Sequence, residues 1–302
     1  MSWPNLSDLL VAADAPDAVG APVGLVGAPL AAGSVTPGRC DLAPALLRAT
    51  LKRIGRYDIE TGQELQSRIA DYGDVEIGGL TIEEATAPIR DAVAAATVNR
   101  ALTFLIGGNN AVTRPGVHGL AQALGVPLDQ IGLITLDAHL DMRDTAEGLG
   151  NGNPVRALIE DGLPGRNIAQ IGLAPWANSK AMHADAVAAG NFLVTLSQID
   201  NEPGPDWVAQ ALARLEHCVS IVVDCDIDVI DRSQFPAAPG GRAGGIGTWL
   251  FYDWARQLAA NPKVRLIDLT EWDPPLDPTD LSALTAARWV AECLVGFEQR
   301  GR

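Results

Sequence analysis

Residues 131–144, IGLITLDAHLDMRD, constrain the fold of this chain more than any other stretch. The first six are apolar apart from Gly132 and Thr135 and read as a parallel strand covered on both faces. Asp137, His139 and Asp141 follow at every second position. Charged groups at the end of a buried strand must be paired or hold a cation. A mixed oxygen and nitrogen set suits a borderline-hard divalent ion such as Mn, Fe, Co or Zn. The alternative is an N-cap aspartate with surface charges on a loop. A second run, SIVVDCDID, ends in the same way at Asp226 and Asp228, with Asp231 further on. Alone it would read as a solvated loop, but an apolar strand precedes it and a rigid PAAPGGRAGG loop follows. Asp224, at the same spacing, belongs to the strand body, where it supports a neighbour. The pattern is that of a metal-dependent hydrolase.

The same alternation of apolar run and amphipathic segment recurs along the chain. Strands are expected at 23–29, 69–72, 101–106, 131–136, 167–172, 192–195, 219–225 and 264–269. Helices are expected at 42–54, 82–96, after GGNN through 124, from 155, and at 178–189, 205–216, 248–260 and 280–297. Residues 1–20 read as a loosely held N-terminal arm with a short helix, and 233–247 as a long Pro/Gly-rich loop. No internal repeat or linker interrupts the pattern, so 1–302 is expected to be one domain. The expected fold is α/β, with a mainly parallel central sheet and helices on both faces. In such sheets ligands bind at the carboxyl ends of the strands, where both acidic clusters fall.

Composition narrows the partners. The 302 residues are 47% hydrophobic, enough for a large core, and the formal net charge of −15 argues against nucleic acid and anionic membrane surfaces. No apolar run approaches the roughly 20 residues of a membrane span, and MSWPNLSDLLVAADAP lacks the features of a signal peptide. Cys40, Cys218, Cys225 and Cys293 show no C-x-x-C spacing and read as reduced thiols of a cytoplasmic protein, with Cys225 pointing away from the site into the sheet.

Five ligands of this kind could hold two cations about 3.5–4 Å apart, bridged by carboxylates, and so deprotonate a shared water. Such a nucleophile attacks a trigonal carbon without a covalent enzyme intermediate. The chain has no G-x-S-x-G elbow and no Cys/His pair to offer the covalent route.

LDAHLDMRD, the loop DIDVIDRSQFPAAPGGRAGG and the late TEWDPPLD together resemble the ureohydrolase family of arginase, agmatinase and formimidoylglutamase. GAPLAAGSVTPG and GGNNAVTRP fit the same pattern, so the resemblance covers nearly the whole chain. It implies a three-layer α/β/α fold with a dinuclear manganese site. The implied ligands are Asp137, His139, Asp141, Asp226 and Asp228, with Glu271 near the substrate's amidine. Where the family has Gly-Gly-Asp-His-Ser, this chain has Gly107-Gly108-Asn109-Asn110-Ala111, which puts Asn110 on the family's histidine ligand. An amide oxygen is a far weaker ligand than imidazole. Two Mn2+ per chain are expected, or one if the Asn110 position stays empty. His118, His183 and His217 read as surface or core residues of predicted helices.

The loop after DAHLD, with Arg143 and then Asn151-Gly152-Asn153-Pro154-Val155-Arg156, resembles the formimidoylglutamase branch, as does QIGLAPWANS. Formimidoylglutamate carries two carboxylates, and a guanidinium fork binds carboxylate through two parallel hydrogen bonds. Arg156 is the first candidate for that work, with Asn151 and Asn153 beside it and Arg143 and Arg242 as further candidates. The implied reaction is hydrolysis of N-formimidoyl-L-glutamate to L-glutamate and formamide, a step of histidine degradation. Glu271 would hold the protonated amidine, and either Asp141 or Glu271 would pass a proton to the leaving nitrogen. Two rival readings stay open: a guanidino- or amidino-acid hydrolase that releases urea, and a metal-poor, non-catalytic relative. The resemblance also implies a homo-oligomer.

Overall fold

The apolar runs assemble into one sheet. In the computed structural model, residues 3–201 and 206–300 are described. The strands are β1 (Leu10–Ala12), β2 (Val23–Ala28), β3 (Tyr57–Asp58), β4 (Gln63–Glu64), β5 (Ile69–Asp74), β6 (Leu102–Gly107), β7 (Ile131–Leu136), β8 (Ile168–Leu173), β9 (Phe192–Thr195), β10 (Ser220–Asp226) and β11 (Val264–Thr270). The helices are α1 (Ala43–Leu51), α2 (Ile82–Thr97), α3 (Thr113–Leu124), α4 (Pro154–Glu160), α5 (Lys180–Ala189), α6 (Leu196–Asn201), α7 (Trp207–Arg214), α8 (Thr248–Ala260) and α9 (Leu281–Glu298). Nine strands form the central sheet in the order β1-β5-β2-β6-β11-β10-β7-β8-β9. Every pairing in it is parallel; β3 and β4 form a separate antiparallel pair.

Alternation along each strand feeds two cores. In β10, Ile221, Val223 and Cys225 join the larger cluster, with α1, α7, α8 and α9, while Val222 joins the cluster built with α2, α3, α4 and α5. The result is a three-layer α/β/α sandwich. Fully buried Trp289 and Phe104, with ring centroids 5.5 Å apart, lie on the first side. A fully buried large apolar side chain contributes roughly 1.5–3 kcal/mol relative to exposure. Cys225 packs in that first cluster, away from the acids, as expected.

Two local differences have clear causes. The N-terminal arm is not loose: Leu6 and Leu9 are buried, a 3₁₀ turn spans Leu6–Leu9, and β1 adds to the sheet edge beside β5. Three residues are too few to show a strand period, so no sequence signal marked them. The helix expected at 42–54 stops at Leu51, because Ile54 turns its carbonyl to Leu6 N at 2.8 Å. The expected start of a helix at 205 lies outside the described residues, and α7 is capped by Asp206, whose carboxylate accepts from Ala209 N. Among the described residues no helix is long and apolar enough to cross a membrane.

Strands β6 and β7 are consecutive in sequence but are separated in the sheet by β11 and β10. The chain builds outward one way, then the other. The crevice at such a switch point, beyond the carboxyl ends of the strands, is where this fold binds ligands.

Candidate active site

Four adjacent strands deliver the site. β6 leads to Asn110, β11 to Glu271, β10 to Asp226 and Asp228, and β7 to Asp137, His139 and Asp141. Register fixes their level: Cys225 lies opposite Leu136, and Asp226 opposite Thr270. Asp226 caps a single 3₁₀ turn by accepting from Asp228 N at 3.0 Å, and Asp137 accepts from His139 N at 2.6 Å. Asp141 and Glu271 both have left-handed backbone, with φ of 50° and 59°. Such conformations cost of order 1–3 kcal/mol and persist where the surroundings hold them. Here the Asp141 carbonyl accepts from Arg156 N at 3.1 Å and Glu271 N donates to Gly108 O at 3.0 Å.

His139 Nδ1 lies 2.9 Å from Asp228 Oδ2 and 3.5 Å from Asp137 Oδ1. One ligand atom each from Asp137, His139 and Asp228 fall within 4.8 Å of one another. Asp137 Oδ2 is buried with no hydrogen-bond partner. A Cβ on Gly240 would meet Asp228 Oδ2 at 2.1 Å and His139 Cε1 at 3.0 Å, so only glycine lets that loop close on the site.

The electrostatics are those of buried, crowded acids. Burial, then the charge of Asp228, pushes Asp137 up to about 6. Burial and the neighbouring acids hold Asp141 and Asp226 well above the usual carboxylate range. Burial pulls His139 down, but its bonds to Asp137 and Asp228 outweigh it and raise the imidazole to about 11. Burial likewise opposes ionisation of Asp228, yet the His139 contact leaves it below its ordinary value. Asp228 makes the closer contact with His139, which is why its value falls below the ordinary one while that of Asp137 rises above it. A divalent ion would relieve the repulsion and occupy the orphaned Asp137 oxygen, so the residues fit one.

Asn110 takes a different part. Its Nδ2 donates to Asp141 Oδ2 at 2.5 Å, while Oδ1 accepts from Thr113 Oγ1 at 2.9 Å and Thr270 Oγ1 at 3.1 Å. The amide's acceptor is thus turned to two threonines and its donor to the acids. Behind it lie Asp224 and Asp268, which face each other across β10 and β11 and are fully buried. Thr113 Oγ1 is also 3.1 Å from Asp268 Oδ2. Burial raises Asp268 to about 7 and, with the charge of Asp268, holds Asp224 well above its usual range. Thr113, Thr270 and Asp268 were missed in the sequence, where single polar residues in apolar segments carry no signal. Asp231 closes the loop after β10 instead, accepting from Ser233 N at 2.9 Å and Gly244 N at 2.6 Å.

Glu271 is buried, accepting from Asn110 N at 2.7 Å and Asn151 Nδ2 at 2.9 Å, and burial raises it to about 7. Asn151 Oδ1 in turn accepts from Val35 N at 2.8 Å. Asn153 uses its amide within its own loop, accepting from Gly150 N at 2.8 Å and donating to the Asp144 and Gly148 carbonyls. Arg156 requires a correction. Its Nε lies 2.6 Å from Glu160 Oε1 and its Nη1 3.0 Å from Asp185 Oδ2, so surface acids on α4 and α5 occupy the fork. Arg143 and Arg242 have no acid partner among the described residues. The stem of Arg143 packs where a Cβ on Gly152 would stand, and Arg242 lines a cavity of about 530 Å³ that reaches Asp228 and Ala138. His118 and His217 stay outside the site, bonded to Asp161 and Asn167 at 2.8 Å each.

A doubly wound parallel sheet with buried carboxylates and an imidazole at its switch point defines an α/β/α protein whose site could hold a divalent ion. The chain belongs to the Arginase family, whose profile matches residues 21–296. It is 28% identical over 279 residues to a formimidoylglutamase of Halalkalibacterium halodurans, covering 90% of this chain and 86% of that one. The crystal structure of formimidoylglutamase from Bacillus subtilis superposes with a TM-score of 0.91 at 26% identity, covering 99% of this chain and 94% of that one. A Trypanosoma cruzi formiminoglutamase structure with Mn2+ shares the fold, with a TM-score of 0.88 at 22% identity and coverage of 98% and 99%.

Proposed function

We propose that this chain hydrolyses N-formimidoyl-L-glutamate to L-glutamate and formamide, using manganese held by Asp137, His139, Asp141, Asp226 and Asp228. The observation that carries the substrate choice is a pair of guanidinium groups, Arg143 and Arg242, left without acid partners in a chain of net charge −15. The substrate has two carboxylates, each suited to a guanidinium fork. The relatives' name, formimidoylglutamase, supports the same choice.

Manganese, when bound, supplies the Lewis acidity that makes water nucleophilic at neutral pH. The chain's own groups do the rest. Glu271, fixed by Asn110 N and Asn151, accepts hydrogen bonds from the amidine and holds its carbon over the acids. The water oxygen bonds to the formimidoyl carbon, and Asp141 takes a proton from it. The bond from that carbon to the glutamate nitrogen then breaks, the nitrogen receives the proton as glutamate's amine, and formamide leaves. Arg143 and Arg242 anchor the carboxylates, and the loop at 233–247 walls the pocket.

Asn110 marks the weaker of two cation positions, because its oxygen faces Thr113 and Thr270. We further infer a single catalytic domain over 1–302, working as a homo-oligomer in the cytoplasm in histidine catabolism; the four buried free thiols support the compartment.

The deciding assay is product release by the manganese-loaded protein from N-formimidoyl-L-glutamate, with arginine, agmatine and 4-guanidinobutyrate alongside. Formamide and glutamate from the first substrate alone, abolished in Asp228→Ala, are expected. Urea from any of the others would move the assignment to a guanidino-acid hydrolase. No product with metal verified as bound would point to a non-catalytic relative.

A further inference from the structure

Trp176 is the most exposed large apolar side chain among the described residues, at 100%. Its backbone is also strained, with φ of 66°. Ala177 N bonds back to Ala174 O, and Pro175 and Trp176 occupy the turn between them. A turn with Pro second and positive φ third is type II, whose third position favours glycine or asparagine. A tryptophan there is doubly unfavourable, locally strained and wholly in water, and it makes no ring or cation–π contact among the described residues.

The turn is nonetheless anchored to the catalytic loop. Ala174 N donates to Ala138 O at 2.9 Å, and Asn178 accepts from Leu140 N at 2.8 Å and donates to Ala138 O at 3.0 Å. Ala138 and Leu140 alternate with Asp137, His139 and Asp141, so the backbone that carries the indole is tied to the ligand-bearing residues. It lines the cavity that holds the unpaired Arg242 and reaches Asp228, with Leu196, Ile199 and Leu250 as apolar wall.

We propose that Trp176 is a substrate-positioning residue that packs over the two methylenes of the bound amino acid and shields the Arg242–carboxylate pair from water. The inference deepens the function proposed above and rests on it. An indole face gives a short aliphatic chain a large apolar contact, and excluding water strengthens a guanidinium–carboxylate pair. Both effects help ground state and transition state alike, so they act on KM rather than on kcat.

The test uses the manganese-loaded full chain and the variants Trp176→Ala, Trp176→Phe and Trp176→Gly. Trp176→Ala should raise KM for N-formimidoyl-L-glutamate about tenfold while kcat changes less than about twofold, and Trp176→Phe should recover most of the loss. Trp176→Gly, which suits the turn, should keep or raise Tm yet show the same KM defect; a structural role alone would not separate the two. L-Glutamate should change the emission of the wild-type protein more than that of Trp176→Phe, in which Trp272 beside Glu271 still reports. Unchanged KM in Trp176→Ala overturns the inference, as does an emission change of undiminished size in Trp176→Phe. Loss of oligomer mass in Trp176→Ala with unchanged KM also overturns it and assigns the indole to a subunit contact. If the wild type does not turn over the substrate, the proposed reaction fails, and the glutamate emission difference alone decides Trp176: its presence supports the site, its absence removes it.

Discussion

At the scale of single residues, Asp137, Glu271 and Asp268 hold protons in the folded metal-free chain that the unfolded chain releases. Their folded values of about 6, 7 and 7 lie above ordinary carboxyl values. Their stabilising effect is therefore full below the unfolded value and lost as pH rises through the folded value. Asp161 and Asp277, held down at about 2, act in the opposite sense but only at lower pH. The Tm of chelator-treated protein should fall between about pH 4.5 and 7.5, and a Tm that rises across this window would sink the assignment. Manganese should reverse the trend and release protons on binding, because His139 and the carboxylates must give theirs up. Asn110→His should tighten the weaker manganese position, since imidazole binds such ions better than an amide. Calorimetric titration checks this; unchanged stoichiometry and affinity would mean that Asn110 does not border a cation.

At the scale of elements, the loop after β10 and the cap of α2 give contrasting tests. Gly240→Ala drives a methyl to within 2.1 Å of Asp228 Oδ2 and should cost manganese affinity and activity by about ten- to a hundredfold, the range for groups supporting a ligand. Thr81 and Glu84 form a capping box at the start of α2, with Thr81 N donating to Glu84 at 2.9 Å. Thr81→Ala should cost about 1 kcal/mol in denaturant unfolding and leave turnover unchanged. If Gly240→Ala behaved like Thr81→Ala, the close approach of the loop would have no bearing on the site. Elements with a clear period were legible: β7, β9 and α8 fall within a residue of expectation. β1, β3 and β4 were not, because two or three residues show no period, and the partner of β1 lies some way along the chain at β5.

At the scale of the whole molecule, the acids at the switch point oppose one another until a cation joins them, so metal and fold are linked. Manganese at about a hundredfold above its Kd should stabilise the chain by about 2.7 kcal/mol. That corresponds to roughly 4 °C in Tm for a chain of this length, and a scan with and without chelator reads it. A Tm indifferent to manganese would contradict the linkage.

The sequence by itself determined the layered α/β architecture and the two acidic strand ends, because apolar periodicity is local and a charge after a buried run is conspicuous. It also marked Asn110 as a departure from the family's histidine. Tertiary structure alone decided the partners. β10 lies beside both β7 and β11 although 83 and 37 residues separate their ends, and only that pairing sets Asp224 against Asp268 and His139 against Asp228. It also decided which cations are free. Arg156 looked available in a line of letters, but helix spacing brings Glu160 to it and packing brings Asp185, whereas Arg143 and Arg242 are left unpaired. Ion pairing depends on distances through space, and sequence fixes those only within a turn or two of helix.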